Sequence, residues 1–272
     1  MKIDLHTHTT CSDGIQTPTE LMTEAKEVGL DIIAVTDHDT TAGLDEAAEA
    51  AEQLGLRLIP GIELSVYAME REVHVLAFFL DRTSPALQEF LQEQKEARIA
   101  RIYKMLEKLK SIGVDIPPED VVVEGKQGTL GRPHVARALV KHGYIKEEDE
   151  AFRKYIGRDQ PGHVPRVKVS PSEGIARMKE AGAVPVLAHP GLYGREGLVD
   201  LMIASGVMGI EAYHPDHSEG VARRFANLAA DKGLLVTGGS DYHGKPRGKR
   251  FGLGAVPVPE SILGPLEAAA GK

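Results

Sequence analysis

Lys2-Ile3-Asp4-Leu5-His6-Thr7-His8, then Thr17-Pro18-Thr19-Glu20, then Ile32-Ile33-Ala34-Val35-Thr36-Asp37-His38-Asp39 is the stretch that decides the fold. A short apolar run precedes a helix start and a second apolar run follows it. Thr17 and Glu20 stand in capping-box positions with proline at the first helical residue. The pattern predicts strand, helix, strand, with helix 17–28 between strands 2–5 and 32–36. Further Val-, Ile- and Leu-rich runs at 57–63, 73–80, 184–188, 209–213 and 234–238 read as strands. Helical patterns fill 41–54, 170–180, 196–205 and 219–232, and Ser170-Pro171-Ser172-Glu173 repeats the first helix start. This alternation predicts an α/β chain with a largely parallel sheet, open or closed into a barrel. Only about ten residues separate runs 57–63 and 73–80, too few for a crossover helix. That pair is expected to form an antiparallel hairpin.

The rhythm changes between residues 84 and 165. Leu87, Phe90, Leu91, Ile102, Met105, Leu106, Leu109 and Ile112 follow helical spacing through a charged segment, with shorter helical patterns at 135–141 and 147–155. The expectation is a main unit built from 1–83 and 166–272, with a mainly helical subdomain inserted at 84–165 over one end of the sheet.

The chain of 272 residues carries a formal net charge of −8, one cysteine, eleven histidines and no tryptophan. Excess negative charge argues against broad duplex DNA binding, though bound cations and local arginines can reverse the field within a cleft. A lone Cys11 excludes an intrachain disulfide and a thiolate-rich zinc site. No apolar run reaches the roughly 18 residues of a membrane span. With no signal-peptide pattern, a cytoplasmic address without membrane association is expected.

Metal-ligand residue types recur at the strand ends. The first strand runs into His6 and His8, followed by Asp13; the second ends at Asp37-His38-Asp39 and the third at Gly61-Ile62-Glu63. Strand 184–188 runs into His189-Pro190, and the last into Ser240-Asp241-Tyr242-His243. Residues i and i+2 of an extended chain point to one side, so His6 with His8, and Asp241 with His243, can each address one ion. The hairpin brings His74 near Glu63. Strand carboxyl ends meet at one face of a parallel sheet. There His6, His8, Asp13, His38, Glu63, His74, His189, Asp241 and His243 would converge. Nine ligands exceed one ion, and Glu63 is a natural bridge between two. Imidazole with carboxylate suits zinc, manganese or iron, and closely spaced ions of this kind suit phosphate-ester hydrolysis.

Asp4-Leu5-His6-Thr7-His8, Thr36-Asp37-His38-Asp39, Gly61-Ile62-Glu63, Ala188-His189-Pro190 and Gly239-Ser240-Asp241-Tyr242-His243 resemble the motifs of the polymerase and histidinol phosphatase (PHP) family. The resemblance runs from Lys2 to about Gly254. It implies a distorted (β/α)7 TIM-like barrel and a site of two or three metals. By that resemblance His6, His8, Glu63 and Asp241 hold one ion, Glu63, His74 and His189 a second, and Asp13, His38 and His243 a third. Glu63, Asp13, His38 and His243 would then be the catalytic set, on three divalent ions of Mn, Fe or Zn. Within the family the chain is most similar to small phosphoesterases acting on 3′,5′-nucleotide bisphosphates and on short RNA as 5′-to-3′ exoribonucleases. The segment Gly131-Arg132-Pro133-His134-Val135-Ala136-Arg137-Ala138-Leu139-Val140 carries that closer likeness, with Tyr155-Ile156-Gly157-Arg158. It implies Arg132 and His134 as grips for substrate phosphate, with His217 a third; a guanidinium fork matches phosphate oxygens. Members of the subgroup often carry arginine three residues after the motif histidine; Leu192 stands there, and Arg195 of the same loop is the candidate substitute.

Three other functions share part of this pattern: a histidinol-phosphate phosphatase, a polymerase-associated exonuclease module, and a metal-binding regulatory module without turnover. The segment 131–140 favours the nucleotide reading, and the full ligand set disfavours the regulatory one. The basic run Lys245-Pro246-Arg247-Gly248-Lys249-Arg250 reads equally as a solvated loop or an anion attractor. Arg98 and Arg101 read as surface helix charge, Cys11 as a bystander, and His142 and His163 as structural.

Overall fold

A computed structural model describes residues 1–122, 129–165, 168–195, 197–244 and 252–272. One seven-stranded sheet runs in sequence order: β1 (Ile3–Asp4), β2 (Ile32–Val35), β3 (Arg57–Ala68), β4 (Arg71–Phe78), β5 (Val184–Leu187), β6 (Gly209–Tyr213) and β7 (Leu235–Gly238). Only β4 is reversed: it pairs antiparallel with both β3 and β5, and all other neighbours are parallel. The expected hairpin is present and longer than its apolar core suggested. Register runs from Gly61 opposite Phe78 to Ala68 opposite Arg71. Met69 and Glu70 close it with φ of 48° and 65°, the two positive values that a type I′ turn needs. Neither residue is the usual asparagine or glycine, so no residue type marks the turn.

Both faces of the sheet are apolar, which explains the unbroken Val and Ile runs. Ile32 and Ala34 of β2, Leu76 and Phe78 of β4, and Val184 and Val186 of β5 pack in one core with Ile3, Leu5 and Ile59. Their alternates Ile33, Val35, Val75, Ala77 and Leu187 pack instead against the helices α1 (Pro18–Glu27), α2 (Leu44–Leu54) and others. Beyond the strands, Leu5 N donates to Gly238 O at 3.2 Å, Tyr242 N to His6 O at 3.3 Å and His8 N to Tyr242 O at 2.8 Å. The segments after β1 and β7 are thereby joined.

The long helix α3 (Pro85–Ser111) bridges two cores. Leu87, Phe90 and Leu91 pack with the sheet's helical layer, whereas Ile102, Met105, Leu106 and Leu109 belong to a second cluster drawn from residues 99–164. That cluster includes α4 (Pro118–Val122), α5 (Arg132–Lys141), α6 (Glu148–Ala151) and a π-helical turn at Phe152–Ile156. The remaining helices are α7 (Pro171–Glu180), α8 (Leu198–Ala204), α9 (Glu219–Asp231) and α10 (Leu263–Ala269). Leu263 and Leu266 of α10 insert into the core that holds Ile3 and Phe78. Helix starts follow their caps: Thr17 and Glu20 complete the capping box, and Ser170 accepts from Glu173 N. No described helix is long and apolar enough to cross a membrane.

Candidate metal centre

The end of β1 is fixed from two sides. Asp4, buried, accepts backbone N–H groups of His6, Ser240 and Gly254 at 3.3, 2.8 and 2.8 Å, tying β1 to the chain after β7. The approach is so close that a Cβ on Gly239 would lie 2.4 Å from His6 N, so only glycine fits there. Asp37 folds back the loop after His8: it accepts Thr9 N and Thr9 Oγ1 at 2.7 Å and Ser12 Oγ at 2.6 Å. Asp39, Asp241 and His189 all have positive φ, at 52°, 51° and 28°. Strained backbone of this kind persists where surrounding contacts over-determine it, commonly at functional sites.

Glu63 stands at the centre, 1% exposed. Its Oε2 lies 3.3 Å from His6 Nε2, 3.2 Å from His8 Nε2 and 3.1 Å from His38 Nδ1. Its Oε1 lies 2.8 Å from His74 Nδ1 and 3.0 Å from His189 Nε2. Asp241 Oδ1 faces the same pair of rings, 3.3 Å from His6 Nε2 and 3.2 Å from His8 Nε2. Asp13 Oδ1 is 3.1 Å from His243 Nε2, and its Oδ2 is 3.7 Å from His38 Nε2. All nine residues expected from the sequence thus occupy one cluster. Potential donor atoms fall into three sets, each within 4.8 Å: His6, His8, Glu63 and Asp241; His38, Glu63 and His74; and His8, Asp13, His38 and His243. His38 joins the Glu63–His74 set, where the resemblance grouped His189, and His8 joins the Asp13 set.

The donor atoms suit cations. His6 Nε2, His8 Nε2, His38 Nδ1, His74 Nδ1 and Glu63 Oε2 are buried with no hydrogen-bond partner among the described residues. Five such atoms pointing at one another would be costly without a compensating positive ion. Burial, the largest influence on Glu63, raises its pKa; the imidazoles of His38, His74 and His6 and the His189 hydrogen bond hold it well below the carboxylate range. Asp13 and Asp241 are likewise depressed against burial, Asp13 chiefly by His243 and His38, Asp241 chiefly by His6 and His214. Burial pushes His38 down to about 3, leaving a neutral ring with a lone pair for a metal.

Two contributors escaped the sequence reading. Glu211, within β6, sits 3.0 Å from His6 Nδ1 with Oε1 and accepts His189 N at 2.7 Å with Oε2. It orients two of the rings from behind. His214, just beyond β6, places Nε2 3.5 Å from Asp241 Oδ2. It follows a strand end as His189 does, so the signal was present; a buried glutamate in an apolar strand was the signal for Glu211. Glu72, at the start of β4, holds His74 Nε2 at 3.1 Å.

The cluster floors a cavity of about 410 Å³ whose wall includes Arg98, Arg101, Arg132, His134, Phe152 and Leu192. The surface reading of Arg98 and Arg101 is overturned: each is 7% exposed, because α3 lies across the strand ends and turns that face inward. Arg98 forks onto Asp39 Oδ2 and Arg101 Nε donates to Val164 O at 2.7 Å. Gly131 N donates to His134 Nδ1 at 3.1 Å, while His134 Nε2 is buried with no partner among the described residues. His217 is elsewhere: Gly191 N donates to its Nε2 at 3.0 Å and its Nδ1 meets Ala212 O at 2.8 Å, so both ring nitrogens serve backbone groups. Arg195 is exposed and stands outside the cavity wall. His142 pairs with Asp120 at 2.7 Å, and Cys11 is buried. The basic run 245–250 lies outside the described residues.

The PHP domain matches residues 4–108. A 5′-3′ exoribonuclease of Haemophilus influenzae is 33% identical, with 89% of this chain and 90% of that protein aligned. A phosphoribosyl 1,2-cyclic phosphate 1,2-diphosphodiesterase of Eggerthella lenta is 35% identical over 89% and 94%. A 3′,5′-nucleoside bisphosphate phosphatase of Chromobacterium violaceum is 35% identical over 91% and 89%. A solved structure from Bifidobacterium adolescentis, described as a metal-dependent phosphoesterase, superposes with TM-score 0.90 at 37% identity, covering 98% and 96% of the two chains.

Proposed function

The chain belongs to the PHP family and is a metal-dependent phosphoesterase, and from that footing we propose that it hydrolyses terminal phosphate and phosphodiester bonds of nucleotides through a metal-activated water. Nucleoside 3′,5′-bisphosphates and the 5′ ends of short RNA are the substrates proposed. The observation that carries this reading is Glu63, whose two oxygens are ringed by five imidazoles.

His6, His8, Glu63 and Asp241 would hold one divalent ion. Glu63 and His74, with His38 and His189 at hand, would hold a second, and Asp13, His38 and His243, beside His8, a third. Mixed imidazole and carboxylate donors favour manganese, iron or zinc. Such ions make water acidic enough to attack near neutral pH and neutralise charge on a phosphoryl group. The protein's own part is positioning. Arg132, its side chain 30% exposed at the cavity wall, offers a forked donor to phosphate oxygens. Because His134 Nδ1 accepts from Gly131, the neutral ring carries its proton on Nε2, a donor available to the same phosphate. The proposed phosphate grip is therefore Arg132 and His134; both ring nitrogens of His217 meet backbone groups and Arg195 lies outside the cavity wall, so neither supports it. Arg98, Arg132 and His134 all come from the 84–165 segment, which supports its role as an inserted cap. The links between β1 and β7 support a distorted (β/α)7 barrel. Nucleotide substrates fit a cytoplasmic address.

Product release by manganese-loaded protein tests the reading: phosphate from adenosine 3′,5′-bisphosphate, a ribose 1,2-cyclic phosphate and histidinol phosphate, and mononucleotide from a short 5′-phosphorylated RNA. Selective release from the bisphosphate and the RNA is expected. Release from histidinol phosphate alone would move the protein to a small amine phosphate and overturn the role of Arg132.

A further inference from the structure

The inserted segment also reaches past the cavity wall to the main chain of two clustered residues. Thr129, 1% exposed and just before α5, donates through Oγ1 to His38 O at 2.6 Å, and its N–H donates to Cys11 O at 2.9 Å. From within α5, Arg137 Nη1 donates to Asp13 O at 3.2 Å. Arg98 of α3 braces the same stretch: it donates to Leu130 O at 3.1 Å while forking onto Asp39, the residue after His38. By contrast, Tyr242 N donates to His6 O at 3.3 Å, Asp39 N to Glu63 O at 3.1 Å and His189 N to Glu211 at 2.7 Å. Those three residues are held from within the sheet unit.

Asp13 and His38 share one set of donor atoms, with His8 and His243. It is the more open set. The side chains of Asp13, His38 and His243 are 10%, 15% and 21% exposed, against 0% for His6 and 1% for Glu63. Ligands with fewer neighbours around the side chain depend more on whatever fixes their backbone, and here part of that fixing comes from the insertion. The helix that supplies it also carries Arg132 and His134, the proposed phosphate grip.

We propose that Thr129 and Arg137 are positioning residues for the Asp13–His38–His243 set, and that filling this set with a divalent ion docks α5, with its phosphate grip, over the cavity. The coupling rests on the three-ion centre proposed for this chain. It is reciprocal: whatever the docked helix adds to ion affinity, the ion returns as stability of the docked helix.

Stripped full-length protein is titrated with manganese, and bound metal per chain is measured together with amide hydrogen exchange of α5. The proteins are wild type, Thr129→Val, Thr129→Ser, Arg137→Met and Asp13→Ala. Loss of an outer partner typically weakens metal binding about 10–100-fold. Thr129→Val and Arg137→Met should each need at least about tenfold more manganese to fill the ion that Asp13→Ala abolishes. Combining either with Asp13→Ala should remove no further ion, and Thr129→Ser, which keeps the hydroxyl, should stay close to wild type. The sign for Arg137 separates positioning from charge: removing a nearby cation would by itself tighten manganese binding, whereas positioning requires that it weaken. Manganese should slow exchange of the α5 amides in wild type and not in Asp13→Ala, a comparison that leaves the inserted segment unaltered. Unchanged or tighter binding in both variants, equal weakening of every ion, or equal slowing in Asp13→Ala would overturn the proposal and leave the proposed function standing. Wild type that binds no more manganese than Asp13→Ala would overturn the three-ion centre, and this coupling with it.

Discussion

At the scale of single residues, the proposed metal centre depends on groups that orient the clustered rings as much as on the rings themselves. Glu211 bridges the ring of His6 and the backbone of His189. Outer partners of metal-binding histidines fix tautomer and orientation, and losing one commonly costs 10–100-fold in metal affinity. Glu211→Gln is expected to weaken manganese binding by about that factor while the fold persists, measured by metal titration with circular dichroism as control. Asp13→Ala should selectively empty the set with His38 and His243, read as a lower metal-to-protein ratio together with slower turnover. Unchanged metal content and rate would refute that set. The nine clustered residues were legible because strand alternation and strand-end placement are local properties: His6 and His8, or Asp241 and His243, need only an extended chain to share a side. Glu211 was not legible in this way. Whether a carboxylate within an apolar strand points at rings or is neutralised otherwise depends on what the neighbouring strands present.

At the scale of elements, α3 and the β3–β4 hairpin build the site together. Arg98 of α3 forks onto Asp39, which in turn accepts Ser65 N of β3 at 2.7 Å. Both charged groups are buried, at 7% and 3% exposure. Removing one partner of a buried ion pair typically costs about 3–5 kcal/mol. Arg98→Ala should lower unfolding stability by that amount in denaturant titrations, and a change under 1 kcal/mol would show that the pair is replaceable by water. Helical periodicity located α3 without revealing which of its arginines turn inward, since that depends on how the helix docks across the strand ends. The hairpin was readable from the short spacing between apolar runs, but not its length: Val66, Tyr67 and Ala68 pair with Val73, Glu72 and Arg71 beyond the motif residues.

At the scale of the whole molecule, the buried cluster couples stability to metal. A ligand that binds only the folded state stabilises it by RT ln(1 + [L]/Kd), about 2.7 kcal/mol at a hundredfold excess over Kd. Chelation should therefore lower the thermal midpoint by several degrees, and manganese should restore it in a concentration-dependent way. A second global property follows from His134. Burial, then the charge of Arg137, holds its pKa at about 4 against 6.5 unperturbed. As pH falls from about 6.5 towards 4 the unfolded chain takes up the proton first, so this residue's contribution to stability declines across that window and is fully lost below it. Denaturation midpoints should fall less steeply over that window in His134→Gln than in wild type; parallel slopes would contradict the assignment.

Metal dependence at the Glu63 cluster is tested most directly by phosphate release from adenosine 3′,5′-bisphosphate by protein stripped with a chelator and then titrated with manganese. No release is expected from the stripped protein, with recovery that saturates as metal fills the Glu63 cluster and Glu63→Gln inactive throughout. Release that is indifferent to chelation, or full activity in Glu63→Gln, would contradict that dependence.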